Sequence, residues 1–188
     1  MIKLSLKELN EIKKDFKFYN FINHNSTNGQ IVIKFNDNVG VTRFDDIQFG
    51  GLSENFISQS NLLKNIVLDL VDYLRAKTII IVKYQNNWIV NSNKSSELAE
   101  MFRTRGLRTN FSGALSVNDK RILEDFIYSN FKYNSFTHFL IPDDKVMITP
   151  TDHLDLFIAA SDIENILNIV KKVINKNDSD KIISISKI

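Results

Sequence analysis

The segment FTHFLIPDDKVMITPTDHLDLFIAA, Phe136 to Ala160, decides how the chain is read. Phe136 to Ile141 is an apolar run of strand length, and Pro142-Asp143-Asp144-Lys145 follows as a turn, with proline where its fixed φ fits. Val146 to Thr149 and Leu154 to Ala159 return as two further strands, which makes a three-strand meander. Connections this short join antiparallel neighbours, because a parallel pair needs a long crossover. The segment therefore predicts a chain built on antiparallel sheet.

Working towards the C-terminus, Ser161 and Glu164 have the spacing of a capping box. Ile163, Ile166, Leu167, Val170, Val173 and Ile174 repeat at helical intervals behind it. Polar Asn175 to Asp180 leads to a terminal strand at Ile182 to Ile188, which can join its own sheet or a neighbour's edge.

Working back towards the N-terminus, Ile122, Leu123, Phe126 and Ile127 give a helix its apolar face, with Ser116 and Asp119 as its cap. Leu107 to Leu115 reads as either loop or short strand. A short helix ends near Arg105 and is closed by Gly106, where a left-handed residue is needed. Ile79-Ile80-Ile81-Val82 is β-branched and too short for a helix, so it is a central strand, with Trp88 to Val90 returning as its partner across Gln85-Asn86-Asn87. The longest helix runs from an N-cap at Ser53 to about Ala76, with Phe56, Leu63, Ile66, Val67, Leu70, Val71 and Leu74 as its buried stripe. A hairpin is expected where Ile31-x-Ile33-x-Phe35 and Val39-x-Val41 alternate around Asn36-Asp37-Asn38, with Asp45 to Leu52 as a loop. Ser5 and Glu8 cap an amphipathic helix over Leu6 to Ile22.

The reading is an α+β fold with a mostly antiparallel sheet of about seven strands and four to five helices, in the order α-ββ-α-ββ-α-α-βββ-α-(β). No linker or repeat interrupts residues 1–188, so one domain is expected, with a weak boundary at 107–116. A chain of 188 residues buries enough surface to need neither disulfide nor metal for stability. With no cysteine, disulfides, thiolate metal sites and thiol catalysis are excluded. The absence of a long apolar run or a signal-like N-terminus points to a cytoplasmic protein with no membrane partner. The lysine, asparagine, isoleucine and phenylalanine bias matches AT-rich codons, hence a low-GC bacterium or a phage.

Net charge is +2, from 24 basic and 22 acidic residues, too balanced for polyanion binding by the whole surface. The six glycines form neither a P-loop nor a dinucleotide fingerprint. Nucleophile-elbow and zinc-protease motifs are absent as well. Pro142-Asp143-x-Lys145 carries letters of a nuclease signature, but all of them fall within one turn, whereas shared metal ligation needs carboxylates from two strands.

Three constellations carry chemistry. Arg103, Arg105 and Arg108 hold half of the six arginines within six positions, and with Phe111 they form a candidate partner- or anion-binding patch. Arg103 and Arg105 equally oppose the negative end of a helix dipole. His138, Asp152, His153 and Asp155 combine imidazole and carboxylate near the meander, a weak candidate for a metal or an acid–base pair if register brings His138 towards His153. Asp143 to Glu164 is acidic apart from Lys145 and forms a candidate negative face.

The function expected is a non-enzymatic protein-interaction module, such as a phage or mobile-element inhibitor, an immunity protein or a regulatory subunit. Its partner would be another protein, with no cofactor and with oligomeric state open. The alternatives are a metal-assisted hydrolase or nuclease using His138, Asp152, His153 and Asp155, and a nucleic-acid or nucleotide binder using Arg103, Arg105 and Arg108.

Overall fold

The computed structural model describes residues 1–21, 25–36, 54–83, 88, 96–108, 111–133, 137–151, 153–177 and 183–188. The Val39–Val41 half of the expected hairpin, the Asp45–Leu52 loop, the Ser53 cap, the Gln85–Asn87 turn, Ile89, Val90 and Asp152 lie outside them.

The fold is α+β. In chain order the described elements are β1 (Ile2–Leu4), α1 (Leu6–Lys13), β2 (Tyr19–Asn20), β3 (Asn25–Ser26), β4 (Ile31–Phe35), α2 (Glu54–Tyr73) and β5 (Ile79–Lys83). They continue with α3 (Ser96–Thr104), β6 (Ala114–Val117), α4 (Lys120–Tyr133), β7 (Thr137–Ile141), β8 (Val146–Pro150), β9 (Asp155–Ala160), α5 (Ile163–Lys176) and β10 (Ile183–Lys187). Eight strands form one sheet in the order β1-β6-β5-β7-β8-β9-β4-β10, and β2 and β3 make a separate two-stranded ribbon. Every neighbouring pair in the large sheet is antiparallel.

The meander β7-β8-β9 forms as expected. β5 shows how one run serves two cores. Side chains alternate across a strand, so Ile79 and Ile81 enter the larger core while Ile80 and Val82 face the smaller one. The larger core lies under α2, α4 and α5, where the expected apolar residues of α2 from Phe56 to Val71 are buried. The smaller core packs Leu9, Phe16, Phe18 and Tyr19 against the opposite face, through Ile80, Val82, Ala114, Leu140, Met147 and Ala159.

That second core explains why the first helix is shorter than its apolar spacing predicts. The capping box forms, with the Ser5 amide donating to Glu8 Oε2 at 2.7 Å and the Glu8 amide to Ser5 Oγ at 3.2 Å. The α-helix ends at Lys13, and a 3-10 turn carries the chain through Phe16. Burying Phe16, Phe18 and Tyr19 together is incompatible with one helical face, so the backbone leaves the helix and Tyr19–Asn20 pairs with Asn25–Ser26.

Other expectations are corrected. Ile2–Leu4 is a strand because β6 offers it an antiparallel edge, with Ile2 opposite Ser116. β5 takes β6 and β7 as partners rather than the segment at Trp88, and Trp88 lies outside any strand with its indole in the aromatic cluster of Phe102, Phe111 and Phe126. Of the expected loop or strand over 107–115, Leu107, Arg108 and Phe111 lie outside any strand, Ala114 and Leu115 begin β6, and residues 109 and 110 lie outside the described residues. Ser116 belongs to β6, and Asp119 alone caps α4, accepting from the Arg121 amide at 3.0 Å. The α5 cap is Asp162, which accepts from the Asn165 amide at 3.1 Å; the backbone of Ser161 is held in the sheet end by its bond to the Lys145 carbonyl. β10 pairs with β4 of its own chain from Ile183 opposite Phe35 to Lys187 opposite Ile31.

Candidate interaction surface

Gly106, at φ 62°, ends α3. The Gly106 amide donates to the Arg103 carbonyl at 3.1 Å and the Leu107 amide to the Phe102 carbonyl at 2.8 Å, a paired closure of the last turn that a left-handed residue permits. The chain then passes Arg108 and reaches Phe111, whose amide donates back to the Arg108 carbonyl at 3.2 Å.

Phe111 is the pivot of this corner. Its ring stacks on Trp88 with centroids 4.8 Å apart and planes 18° from parallel. Its carbonyl accepts from Trp88 Nε1 at 3.2 Å and from Lys83 Nζ at 2.9 Å. From β1, Lys3 sets its ammonium 4.9 Å from the Phe111 ring centroid, a cation–π contact. Partial burial lowers the pKa of Lys83, since desolvation disfavours its charged form.

The structure sorts the four residues of the patch expected from the sequence. Arg105 and Arg108 are exposed, and among the described residues neither has a carboxylate partner. Arg103 is exposed but engaged by Glu100, with Nη2 2.5 Å from Oε1 and Nε 3.0 Å from Oε2; that carboxylate raises its pKa. Phe111 is buried and stacked, so it supports the corner from beneath and offers no face to a partner. Lys3 and Lys83 escaped sequence reasoning because they stand about a hundred and about thirty positions from Phe111 and converge on it only through the sheet order β1-β6-β5.

The histidine constellation is placed differently. His138 is buried in β7, its Nδ1 2.7 Å from Thr149 Oγ1 and its ring edge-on to Tyr19 and Phe21 at 5.7 and 6.1 Å. The register sets it opposite Val82 on one side and across from Thr149 on the other. His153 is exposed in the β8–β9 turn, where its amide donates to Thr151 Oγ1 at 3.2 Å. The Asp155 carboxylate accepts from the Thr151 hydroxyl, and its backbone stands opposite Lys34. Among the described residues no group of three histidine or carboxylate side chains is arranged to hold a metal.

The acidic stretch is divided by the meander. Asp143 and Asp144 occupy the β7–β8 turn and Asp162 follows β9, while Asp155 lies at the opposite end of the strands. Desolvation, with Asp143 as a smaller cause, raises the pKa of Asp144. Pro142 to Lys145 is a single turn, closed by the Lys145 amide on the Pro142 carbonyl at 3.2 Å. Thr137, opposite Lys83, begins β7 and that turn ends it, so the basic corner and Asp143–Asp144 lie at opposite ends of the same strand.

Among the described residues no helix is long and apolar enough to cross a membrane. No family model, curated protein or solved structure matches the chain.

Proposed function

We propose that the chain is a non-enzymatic protein-interaction module that engages its partner through the basic corner of Lys3, Lys83, Arg105 and Arg108. The observation that carries this reading is the convergence of Lys3 and Lys83 on Phe111, beside two exposed arginines that lack carboxylate partners among the described residues. Elsewhere Lys14, Lys120, Lys176 and Lys187 each meet an acid, so their charge is largely neutralised within the fold. Uncompensated guanidinium groups suit carboxylate recognition and steer an acidic partner towards the corner. Burial of Trp88 and Phe111 removes the stacking platform that single-stranded nucleic acid uses, which favours a protein partner. Inhibitor, immunity protein and regulatory subunit are all compatible with this mode of action.

The test is native mass spectrometry of the affinity-purified protein from its host's lysate, alongside the Arg105→Glu, Arg108→Glu double variant. A stoichiometric protein partner that the double variant fails to retain is the expected result. Recovery of nucleic acid in its place, or no bound macromolecule, would overturn the reading.

A further inference from the structure

We propose that β1 is a docking edge to which an extended acidic segment of a partner protein adds as a further antiparallel strand. This rests on the reading of the chain as an interaction module and says how its basic corner is used.

Among the described residues β1 ends the sheet, with a neighbouring strand on one side only, and alternate backbone groups of an end strand face outward. The carbonyl of Leu4 approaches Gly113 so closely that a Cβ there would lie 2.1 Å from it. Leu4 therefore directs its backbone groups to the β6 side, and by alternation Lys3 directs its own to the open side. The side chains of β1 alternate as well. Lys3 shares the face of Phe111, where the basic corner lies, while Ile2, 67% exposed, shares the opposite face. Leu6, which follows at the start of α1, is also exposed.

The other end of the sheet lacks this combination. In β10, Lys187 is neutralised by Glu164 and Ile183 is buried. Among the described residues the β1 edge thus presents open hydrogen-bonding groups, an exposed apolar side chain on one face and a cation without a carboxylate partner on the other. The complement is a strand that alternates apolar and acidic residues, with an acid across from Lys3 and apolar residues across from Ile2 and Leu4. Further carboxylates on the same face of that strand would meet Arg105 and Arg108.

The experiment titrates the full chain into fluorescein-labelled peptides of roughly eight residues, the length of a long strand. One peptide alternates Val and Glu, another Val and Lys, and a duplex DNA of about 20 base pairs is run in parallel. Amide hydrogen exchange of residues 1–6 is followed with and without the Val-Glu peptide. The expected result is binding of the Val-Glu peptide alone, weakened roughly tenfold by Lys3→Glu, with slower exchange along β1. Unchanged β1 exchange in the wild-type chain, equal binding of the Val-Lys peptide, or binding of DNA without the acidic peptide would overturn the proposal. A lysate partner that survives Lys3→Glu but is lost with the arginines would sink the β1 edge and leave the interaction module standing. No partner at all would sink the module itself.

Discussion

Lys83 donates its ammonium to the main-chain carbonyl of Phe111 at 2.9 Å, and so ties the end of a central strand to the segment that carries the basic corner. The bond joins β5 to a residue that lies outside any helix or strand, and Trp88 Nε1 shares the same acceptor. Replacing Lys83 with methionine keeps most of the stem packing and removes the donor. A loss of about 1 kcal/mol is expected from urea unfolding. The sole tryptophan, buried against Phe111, supplies the fluorescence signal.

Two glycines with positive φ separate backbone strain from steric exclusion. At Gly106 nothing lies within 4 Å of the place a Cβ would take, so Gly106→Ala meets only the left-handed penalty, about 1 kcal/mol. Gly113 has φ 127°, and a Cβ there would collide with the Leu4 carbonyl. Gly113→Ala is expected to cost more and to detach β1, seen as faster amide exchange at residues 2–4 than in Gly106→Ala. Equal costs with β1 intact would contradict the close approach.

The cap of α5 gives a contrast between adjacent residues. Asp162→Ala removes the side-chain acceptor of the Asn165 amide and is expected to cost about 1 kcal/mol in thermal or denaturant unfolding. Ser161→Ala should stay within about 0.5 kcal/mol, because Ser161 acts through its backbone. The reverse order would restore the capping box read from the sequence.

Asp69 on α2 links two helices, accepting from Lys176 Nζ at 2.7 Å and Asn177 Nδ2 at 2.8 Å. The bond to Lys176 is the leading reason its pKa is lowered, with partial burial opposing. A carboxyl with a lower pKa folded than unfolded stabilises the fold above its unfolded value, and that contribution is lost as pH falls through the folded one. Asp69→Asn should therefore be less stable than the parent near neutrality, by about 0.5–1 kcal/mol for so exposed a pair. The gap should close as pH drops below the usual carboxylate range. A gap independent of pH would remove the ionic account.

Much of the local architecture was legible because it rests on short-range periodicity. Ile79 to Val82 could only be strand, and the residues that the spacing in α2 and α5 named are buried except Leu74 and Leu167, which are half-buried. The Ser5–Glu8 cap and the Gly106 stop were equally local. What failed were judgements in which a local pattern competed with distant packing. Leu6 to Ile22 reads as helix until Phe18 and Tyr19 are required in the second core. Phe111 reads as an available aromatic until Trp88 is stacked on it.

By itself, the sequence determined the α+β class, the antiparallel meander and the apolar faces of the helices, since each depends on neighbours within a few positions. Only the tertiary structure decided which strands lie side by side, because antiparallel pairing is set by how the helices cover the sheet and not by any single run. That ordering places β1 at the edge among the described strands and brings Lys3 and Lys83 to one phenylalanine. It also withdraws His138 into the core and divides the acidic residues of Asp143 to Glu164 between the two ends of the meander strands. A charged cluster depends on proximity in space, which no spacing along the chain records.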